Sequence, residues 1–330
     1  MVYNMKRGSA DGRRLVWKIS AEMIASRPHG YGYGLFEKYY NLHQAEYFEQ
    51  NNATETEIYH SDYISMPYND YLEHCVEGGF IGLGLLICFY FILIKKALRQ
   101  HDVISASVVS AFAVMSLTNF VYSAIQPWFL LMIVCAFVAA DDKSVTRYKR
   151  ALDIMLFPVI LLCGVVVFYM IKSQIKLAAY KEQIVNGRYV SQENIMSLYP
   201  YIGTSEAYWT ISAYHMLLEK NNIMARQHLN KALCFTSSPQ TLELAYYAYR
   251  QSGMEDKGII FIHTQSNMMP MLLKPKSLLM EYYYKRGDMN KALSYANGIV
   301  STPHKIDNAV SDSIRNKAHK LTNIIKTIRR

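Results

Sequence analysis

The sequence predicts an all-α polytopic membrane protein with about four transmembrane helices, a loop region before them and a helical-repeat domain after them. Three observations predict this fold class. Apolar residues are concentrated between Gly78 and Ile171, these runs are long enough to cross a hydrocarbon core of about 30 Å, and a helical period with evenly spaced prolines follows from Ser205 onward. The predicted domains are residues 1–77, 78–172 and 173–330.

The composition argues against a metal site, a disulfide framework and a nucleic-acid partner. The net charge is +9, but the basic residues flank apolar runs or lie along the helical tail, without a DNA-binding or RNA-binding signature. The five cysteines lack the short spacing of metal ligands, and three of them lie in apolar runs. We therefore expect no metal, no cofactor and no nucleic acid.

The apolar region divides into four predicted spans. Gly79–Leu93 is almost wholly apolar and forms the first span with its flanks. Asp102–Ala140 is too long for one span, and Asn119 and Pro127 favour a turn that makes it a hairpin of two. Ala151–Ile171 forms the fourth span, in which neighbouring helices would compensate for an internal proline.

The charge of the connecting loops predicts the orientation of these spans. The loops 95–101 and 141–150 are rich in Lys and Arg and lie on one side by span counting, so this side should be cytoplasmic. Residues 1–77 and 173–330 are then both extracytoplasmic. One basic cluster conflicts with this rule: Lys6, Arg7, Arg13 and Arg14. Either these cations serve an external anionic ligand, which we favour, or residues 1–77 face the cytoplasm.

The C-terminal region contains three similar segments that end at Pro239, Pro270 and Pro303. Their spacings of 31 and 33 residues, with a helix, a turn and a second helix in each, resemble the tetratricopeptide pattern. In the third segment Gly287 marks the tight turn and Ala292 the close approach of two helices. Such arrays often bind a protein partner on their concave face, although a helical solenoid without a ligand fits the pattern equally well.

The first domain begins with a basic turn, continues as a helix with a periodic apolar face, and stops at Pro28. Gly30, Gly32 and Gly34 then alternate with larger residues. No strand precedes this run and no Walker lysine follows it, so the pattern predicts a flexible aromatic turn rather than a nucleotide site. Arg13 has two interpretations: its guanidinium fork suits phosphate oxygens, or it is simply solvated.

These residues together resemble a known family. Gly12-Arg13-x-x-x-Trp17, then Gly32-x-Gly34-x-Phe36, then the segment "YNDYLEHCVEGGFIGLGLL" are similar to the signature of the O-antigen ligase and polymerase superfamily. The positions that fit the last part of the signature are Asn69, Leu72, Glu77, Gly79 and Gly82.

The resemblance implies a metal-independent glycosyltransferase in the inner membrane of a bacterium, with residues 1–77 and the tail in the periplasm. The donor would be a glycan on undecaprenyl pyrophosphate, and the acceptor lipid A core or a growing polysaccharide. The enzyme would also contact membrane lipid, and the tail a protein partner. Ligase and polymerase use the same donor chemistry, so both stay open.

Site residues follow from the same resemblance. The expected catalytic residues are Arg13, Tyr68, Asn69 and His60, and the expected substrate-binding residues are Arg14, Lys6, Trp17, Gly32, Gly34, Asp70 and Glu77. Arg13 would bind the pyrophosphate. Asn69, Asp70 and Glu73 are expected to face a water-filled site, whereas Glu77 either serves the site or stabilises the N-terminus of its own helix.

Tyr68 departs from the family, because many members have histidine before the asparagine. A tyrosine hydroxyl ordinarily ionises near pH ~10, so it is a poor base at neutral pH. Three alternatives stay open: His60 or His74 supplies the base, Tyr68 only donates a hydrogen bond, or the activity is reduced or absent.

Superfamily members carry additional spans before the catalytic loop. We therefore expect the chain to be an N-terminally truncated or split form, which can be inactive as this fragment. A second function of another class stays open, namely a non-enzymatic membrane-anchored scaffold whose repeats recruit partners in the cell envelope.

Overall fold

The computed structural model describes residues 2–50, 53–122, 124–140, 146–303 and 308–328. Side chains are described for residues 10–50, 53–122, 124–140, 157–303 and 308–327. The side chains of Lys6 and Arg7 and half of the predicted cytoplasmic loop 141–150 thus lie outside the described part. All regular structure in the described part is helical, which confirms the predicted all-α class.

The helices are numbered in chain order. They are α1 (Val2–Ser26), α2 (Phe36–Glu49), α3 (Glu55–His60), α4 (Asp70–Arg99), α5 (Val103–Met115), α6 (Ile125–Ala140), α7 (Thr146–Val185), α8 (Gln192–Met196), α9 (Tyr199–Ile202), α10 (Glu206–Leu218), α11 (Asn222–Ala232), α12 (Pro239–Gln251), α13 (Glu255–Met268), α14 (Leu273–Lys285), α15 (Met289–Ser301) and α16 (Ala309–Ile328).

The described residues form two compact units. The first unit contains those of 1–67, 75–79 and 236–330, and the second contains those of 68–74 and 80–235. The first unit therefore combines the predicted loop region with the last helices of the chain. The two units are defined by contacts between residues, whereas the domain boundaries after residues 77 and 172 divide the chain by function. Those functional boundaries stay a prediction.

Two of the described helices are long and apolar enough to cross a membrane, within Asp70–Arg99 and Phe157–Val185. The apolar helices α5 and α6 have 13 and 16 residues. At about 1.5 Å per residue, α5 spans only ~20 Å, short of a hydrocarbon core of about 30 Å. The structure thus provides two candidate spans, and the number four stays a prediction.

The turn between α5 and α6 lies where Asn119 predicts it, but the expectation that Pro127 also lies in this turn is wrong. Pro127 is the third residue of α6. The first N–H groups of a helix have no partner within the helix, so a proline in the first turn removes no hydrogen bond.

The predicted helix–turn–helix segments are present as the pairs α10 and α11, α12 and α13, and α14 and α15. Gly253 and Gly287 take positive φ at two of the turns, where glycine has no steric cost. A Cβ atom on Gly258 would lie 2.8 Å from Cβ of Tyr249, and Ala292 is fully buried, so small residues allow the close approach of paired helices. Assignment of these pairs to the tetratricopeptide class stays a prediction.

The core of the N-terminal part of the first unit lies between α1 and α2. Leu15, Ile19 and Met23 are buried at helical spacing on α1. They pack with Phe36 and Tyr40, whose rings stack with centroids 5.3 Å apart on α2. The predicted apolar face of α1 is therefore confirmed, and it holds α2 in place.

A polar cluster joins the three N-terminal helices. Lys18 on α1 donates to the Tyr47 hydroxyl at 2.6 Å and to the Glu57 carboxylate at 2.9 Å. The Tyr47 hydroxyl and the backbone N–H of Thr54 also donate to Glu57, at 3.0 and 2.8 Å. Burial alone would raise the pKa of Glu57, but these hydrogen bonds outweigh it and lower the pKa to about 2.

Glu57→Gln is expected to lower the melting temperature by about 2–4 °C at pH 7 and to have little effect near pH 2. A carboxyl whose pKa is lowered by folding stabilises the protein above its unfolded pKa, and this stability is lost as the pH falls through the folded pKa. Melting curves of wild type and variant between pH 7 and 2.5 should converge between the ordinary value of 4.5 and about 2. The exposed Glu55→Gln is the control, and a difference that does not depend on pH would contradict the assignment.

Candidate functional site

The glycine-rich segment after α1 pairs with the backbone at a kink in α4. Gly79 has φ +64° and ψ −164° inside α4, so the helix is interrupted there. The carbonyls of Val76 and Glu77, just before this kink, accept from the backbone N–H groups of Tyr31 and Gly32, each at 2.9 Å. The two parts of the predicted motif, far apart in sequence, thus form one structural element, which we call the glycine clasp (residues 28–34 with 76–79).

Two glycines of the clasp are required by close backbone approach. A Cβ atom on Gly30 would lie 2.5 Å from the Gly79 nitrogen and would overlap the Glu77 carbonyl. Conversely, a Cβ atom on Gly79 would lie 2.5 Å from the Pro28 oxygen. Gly30, Gly32 and Gly34 also all have positive φ. The predicted flexible turn therefore makes backbone hydrogen bonds at Gly30, Tyr31 and Gly32 and is sterically constrained, and the alternation of glycines reflects backbone geometry.

Glu77 caps a helix other than its own. Its carboxylate accepts from the backbone N–H of Phe36 at 2.9 Å, and only 7% of the residue is exposed. Phe36 is the first residue of α2, whose own N-cap residue Leu35 provides no side-chain cap. A carboxylate at this position satisfies an unpaired N–H and interacts favourably with the helix dipole. Neither of the two alternatives left open for Glu77 anticipated this contact.

Arg13, Arg14 and Trp17 lie within α1, so the expectation of a basic turn here is wrong. Arg13 is partly buried and Arg14 is exposed. Arg13 and Trp17 are four residues apart and share a helix face. The Trp17 indole donates to the Pro67 carbonyl at 3.2 Å, so it ties α1 to the segment before Asn69. The four-residue spacing of Arg13 and Trp17 in the family motif therefore corresponds to about one turn of α1.

Asn69 and Asp70 support the start of α4. The Asn69 side chain accepts from the Leu72 N–H at 3.0 Å as the N-cap of α4. Asp70 is fully buried, and its Oδ2 accepts from the Val121 N–H at 3.0 Å. Its own N–H donates to the Ser116 carbonyl at 2.9 Å. Asp70 therefore holds the turn between α5 and α6, and the expectation that it faces a water-filled site is wrong because the residue is fully buried.

Tyr68 has a positive φ of +56°, which is unusual for a residue other than glycine. Its ring contacts Phe120 edge-on, with centroids 5.8 Å apart. Strained backbone of this kind persists only where the surrounding structure holds it, and it is enriched at functional positions. The backbone conformation of Tyr68 therefore supports its assignment as a candidate site residue, independently of the family motif.

His60 and His74 have different surroundings. His60 ends α3, and its Nε2 lies 4.0 Å from the Asp11 carboxylate of α1. It also lines a groove of about 500 Å³ together with Glu55, Tyr59 and Met271. His74 lies on α4, where its ring is tilted against Tyr122 with centroids 5.5 Å apart. Of the two candidate bases, His60 is the one that lines this groove.

The described residues contain no group of three or more His, Cys, Asp or Glu side chains that could hold a metal ion. Within the first unit, the candidate residues are the cations on α1, the glycine clasp with Glu77, and His60, whereas Tyr68, Asn69 and Asp70 belong to the second unit. Such groups can bind an anion, position a chain segment and accept a proton.

A family model described as O-antigen ligase matches residues 2–87. The matched range contains Arg13, Trp17, the glycine clasp and the first half of α4. The predicted resemblance to the O-antigen ligase superfamily is thereby confirmed over this range. That family comprises inner-membrane proteins of bacteria of the glycosyltransferase type. No curated protein matches the chain.

Proposed function

We propose that this protein transfers a glycan from an undecaprenyl-pyrophosphate carrier to lipid A core or to a growing polysaccharide. The match of residues 2–87 to the O-antigen ligase family carries this proposal. The geometry of the glycine clasp supports it, because the separate parts of the family motif are assembled there by hydrogen bonds rather than scattered.

The reaction needs two kinds of group. An acceptor hydroxyl attacks the anomeric carbon of the donor sugar, the bond from this carbon to the pyrophosphate oxygen breaks, and the carrier pyrophosphate leaves with its negative charge. A cation stabilises the charge that develops on the leaving group, and a base removes the hydroxyl proton. A guanidinium is suited to the first role because its donors form a planar fork.

Arg13 is the proposed pyrophosphate ligand, and Arg14, which is exposed, and Lys6 are proposed auxiliary cations. Trp17 fixes the Arg13 face of α1 through its bond to Pro67. Gly32 and Gly34 shape the adjacent loop, and Glu77 positions that loop through its bond to Phe36. Glu77 thus acts as a positioning residue rather than as a direct ligand.

His60 is the proposed general base, assisted electrostatically by Asp11. Tyr68 is a hydrogen-bond donor to the substrate, and its strained backbone supports a functional assignment. Asn69 and Asp70 position Tyr68 from the next residues, through the helix cap and the buried bond to Val121.

The proposed location is the bacterial inner membrane, with residues 1–77 and the tail in the periplasm. The candidate spans in α4 and α7 support membrane insertion. The proposed four spans would also require α5 and α6, and α5 would need flanking residues to cross the membrane because it has only 13 residues. Every residue of 157–171 in α7 is exposed, and an all-round apolar surface of this kind is typical of a helix that contacts lipid.

Deletion of the gene is expected to reduce the surface glycan and to cause carrier-linked glycan to accumulate, and wild-type protein should reverse both. In the same strain, His60→Gln should lower glycan transfer by about 100-fold, as expected for loss of a general base, whereas His74→Gln should have a small effect. Glycan is measured by gel profile and the carrier-linked pool by extraction. A deletion that leaves both pools unchanged would instead favour the non-enzymatic scaffold.

A further inference from the structure

Helix α2 is in contact with both the candidate site and the C-terminal helices. Its N-terminus is capped by Glu77 of the glycine clasp. Along its length it packs against α13, within the first unit. The surface of the helical tail at α13 is therefore covered by a segment of the same chain, and α2 is the element that joins this surface to the clasp.

Gln44 on α2 makes the central contact. It is fully buried, and its side-chain amide donates to the Met268 carbonyl at 2.7 Å and to the Asp62 carbonyl at 2.9 Å. Its Oε1 accepts from the Tyr40 hydroxyl at 2.9 Å. Burial raises the pKa of Tyr40, so this hydroxyl keeps its proton and remains the donor. Both amide protons and the carbonyl of Gln44 are thus used.

Asn41 makes a second bond to the same segment, one turn earlier on α2. It is also fully buried, and its amide donates to the Ile64 carbonyl at 2.8 Å. Its Oδ1 accepts from the Ile64 N–H at 3.1 Å. These two hydrogen bonds fix the position of Ile64 relative to α2, in the way that paired backbone hydrogen bonds fix the register of two strands in a sheet.

A third contact lies at the start of α2. The backbone N–H and hydroxyl of Ser237, just before α12, approach the Glu37 carboxylate at 3.3 and 3.2 Å. Ser237 is only 2% exposed. The tail therefore holds α2 at two places, near its first turn and at Gln44.

We propose that Gln44 and Asn41 are positioning residues for the candidate site, and that α13 of the helical tail acts through Gln44 to hold the segment 61–64 beside His60. The tail surface at α13 then binds α2 of the same chain and in this way supports the site, and it is not a docking groove for another protein. This inference rests on the proposed function for its activity readout, but its structural readout is independent of any activity.

Hydrogen exchange of the purified full chain in lipid nanodiscs tests the structural half. Gln44→Met keeps the length and apolar stem of the side chain but removes both donors. We expect peptides that cover residues 60–67 and 265–270 to exchange roughly tenfold faster in this variant, because the loss of buried hydrogen bonds releases both segments. Glu46→Gln on the exposed face of α2 is the control and should leave both unchanged.

Glycan transfer per folded molecule tests the functional half. A misplaced base should lower kcat by about tenfold while KM for the lipid-linked donor changes less than about twofold, since donor binding is assigned to α1. Tyr47→Phe is the structural comparison, because it weakens the Lys18–Glu57 cluster without touching Asp62 or Met268. It should lower the melting temperature without the same loss of kcat.

The two failures are distinguishable. If wild-type protein shows no transfer, the proposed function fails, and the exchange data alone decide whether the tail holds the segment. If Gln44→Met accelerates exchange at only one of the two segments or at neither, the positioning role is wrong. If both segments are released but kcat is unchanged, the link between the tail and the site is wrong.

Discussion

Gly30→Ala is expected to unfold the glycine clasp and to abolish glycan transfer. The added methyl group would overlap the Glu77 carbonyl and lie 2.5 Å from the Gly79 nitrogen, both rigid backbone atoms. A residue with a side chain at φ +88° adds a backbone cost of about 1–2 kcal/mol, and forced overlap adds about 1–3 kcal/mol. The free energy of unfolding should therefore fall by about 2–5 kcal/mol, as seen in the melting temperature of the purified protein.

Gly34→Ala separates these two costs. Gly34 has a similar φ of +78°, but a Cβ atom there meets nothing within 4 Å. This control should lose only the backbone cost of about 1–2 kcal/mol and keep measurable transfer. Equal destabilisation by Gly30→Ala and Gly34→Ala would show that the close approach to Gly79 does not exist in the protein.

Arg13→Ala is expected to lower glycan transfer by about 100-fold or more while the fold is retained. Removal of one preorganised donor from a developing negative charge typically costs 10²–10³ in kcat, about 3–4 kcal/mol. Arg13 lies on α1 next to Leu15 and Val16, which make the core contacts, so truncation should not unfold the helix. The measurement is transfer per folded molecule, together with the amount of carrier-linked glycan that accumulates in cells.

Two further variants, one at Arg13 and one at the adjacent Arg14, define the role of the guanidinium. Arg13→Lys keeps the charge but loses the planar fork, so it should restore part of the activity. Arg14→Ala removes an adjacent and more exposed cation and should reduce transfer by less than about tenfold. Equal losses from Arg13→Ala and Arg14→Ala would mean that only the net charge of α1 matters, and the specific assignment of Arg13 would then be wrong.

Local patterns in the sequence predicted most of the helices. The apolar face at Leu15, Ile19 and Met23 has a helical period, and the glycines at 253 and 287 mark turns between paired helices. Such patterns are readable because they depend on residues only a few positions apart. Pro127 was misplaced because proline is equally compatible with a turn and with the first turn of a helix.

The sequence also contained two features of the glycine clasp, but neither feature identified the residue that contacts it. Three glycines alternate after Pro28, and Leu35 leaves α2 without a side-chain cap. Both features indicate that another segment lies close to residues 30–36. A single sequence does not show that this segment contains Glu77, about 40 residues further on. Nothing in the sequence marked Gln44 as functional, because a glutamine on an amphipathic helix gives no indication in the sequence that it is buried.

By itself, the sequence determined the all-α class, the apolar runs at α4 and α7 and the family motif within residues 2–87. Only the tertiary structure decided that Glu77 caps α2, that Gly30 meets Gly79, and that α13 holds Gln44. The reason is physical. Helix formation and membrane partition depend on the composition of a short segment, whereas a hydrogen bond between distant residues exists only after many other contacts have placed its two atoms about 3 Å apart.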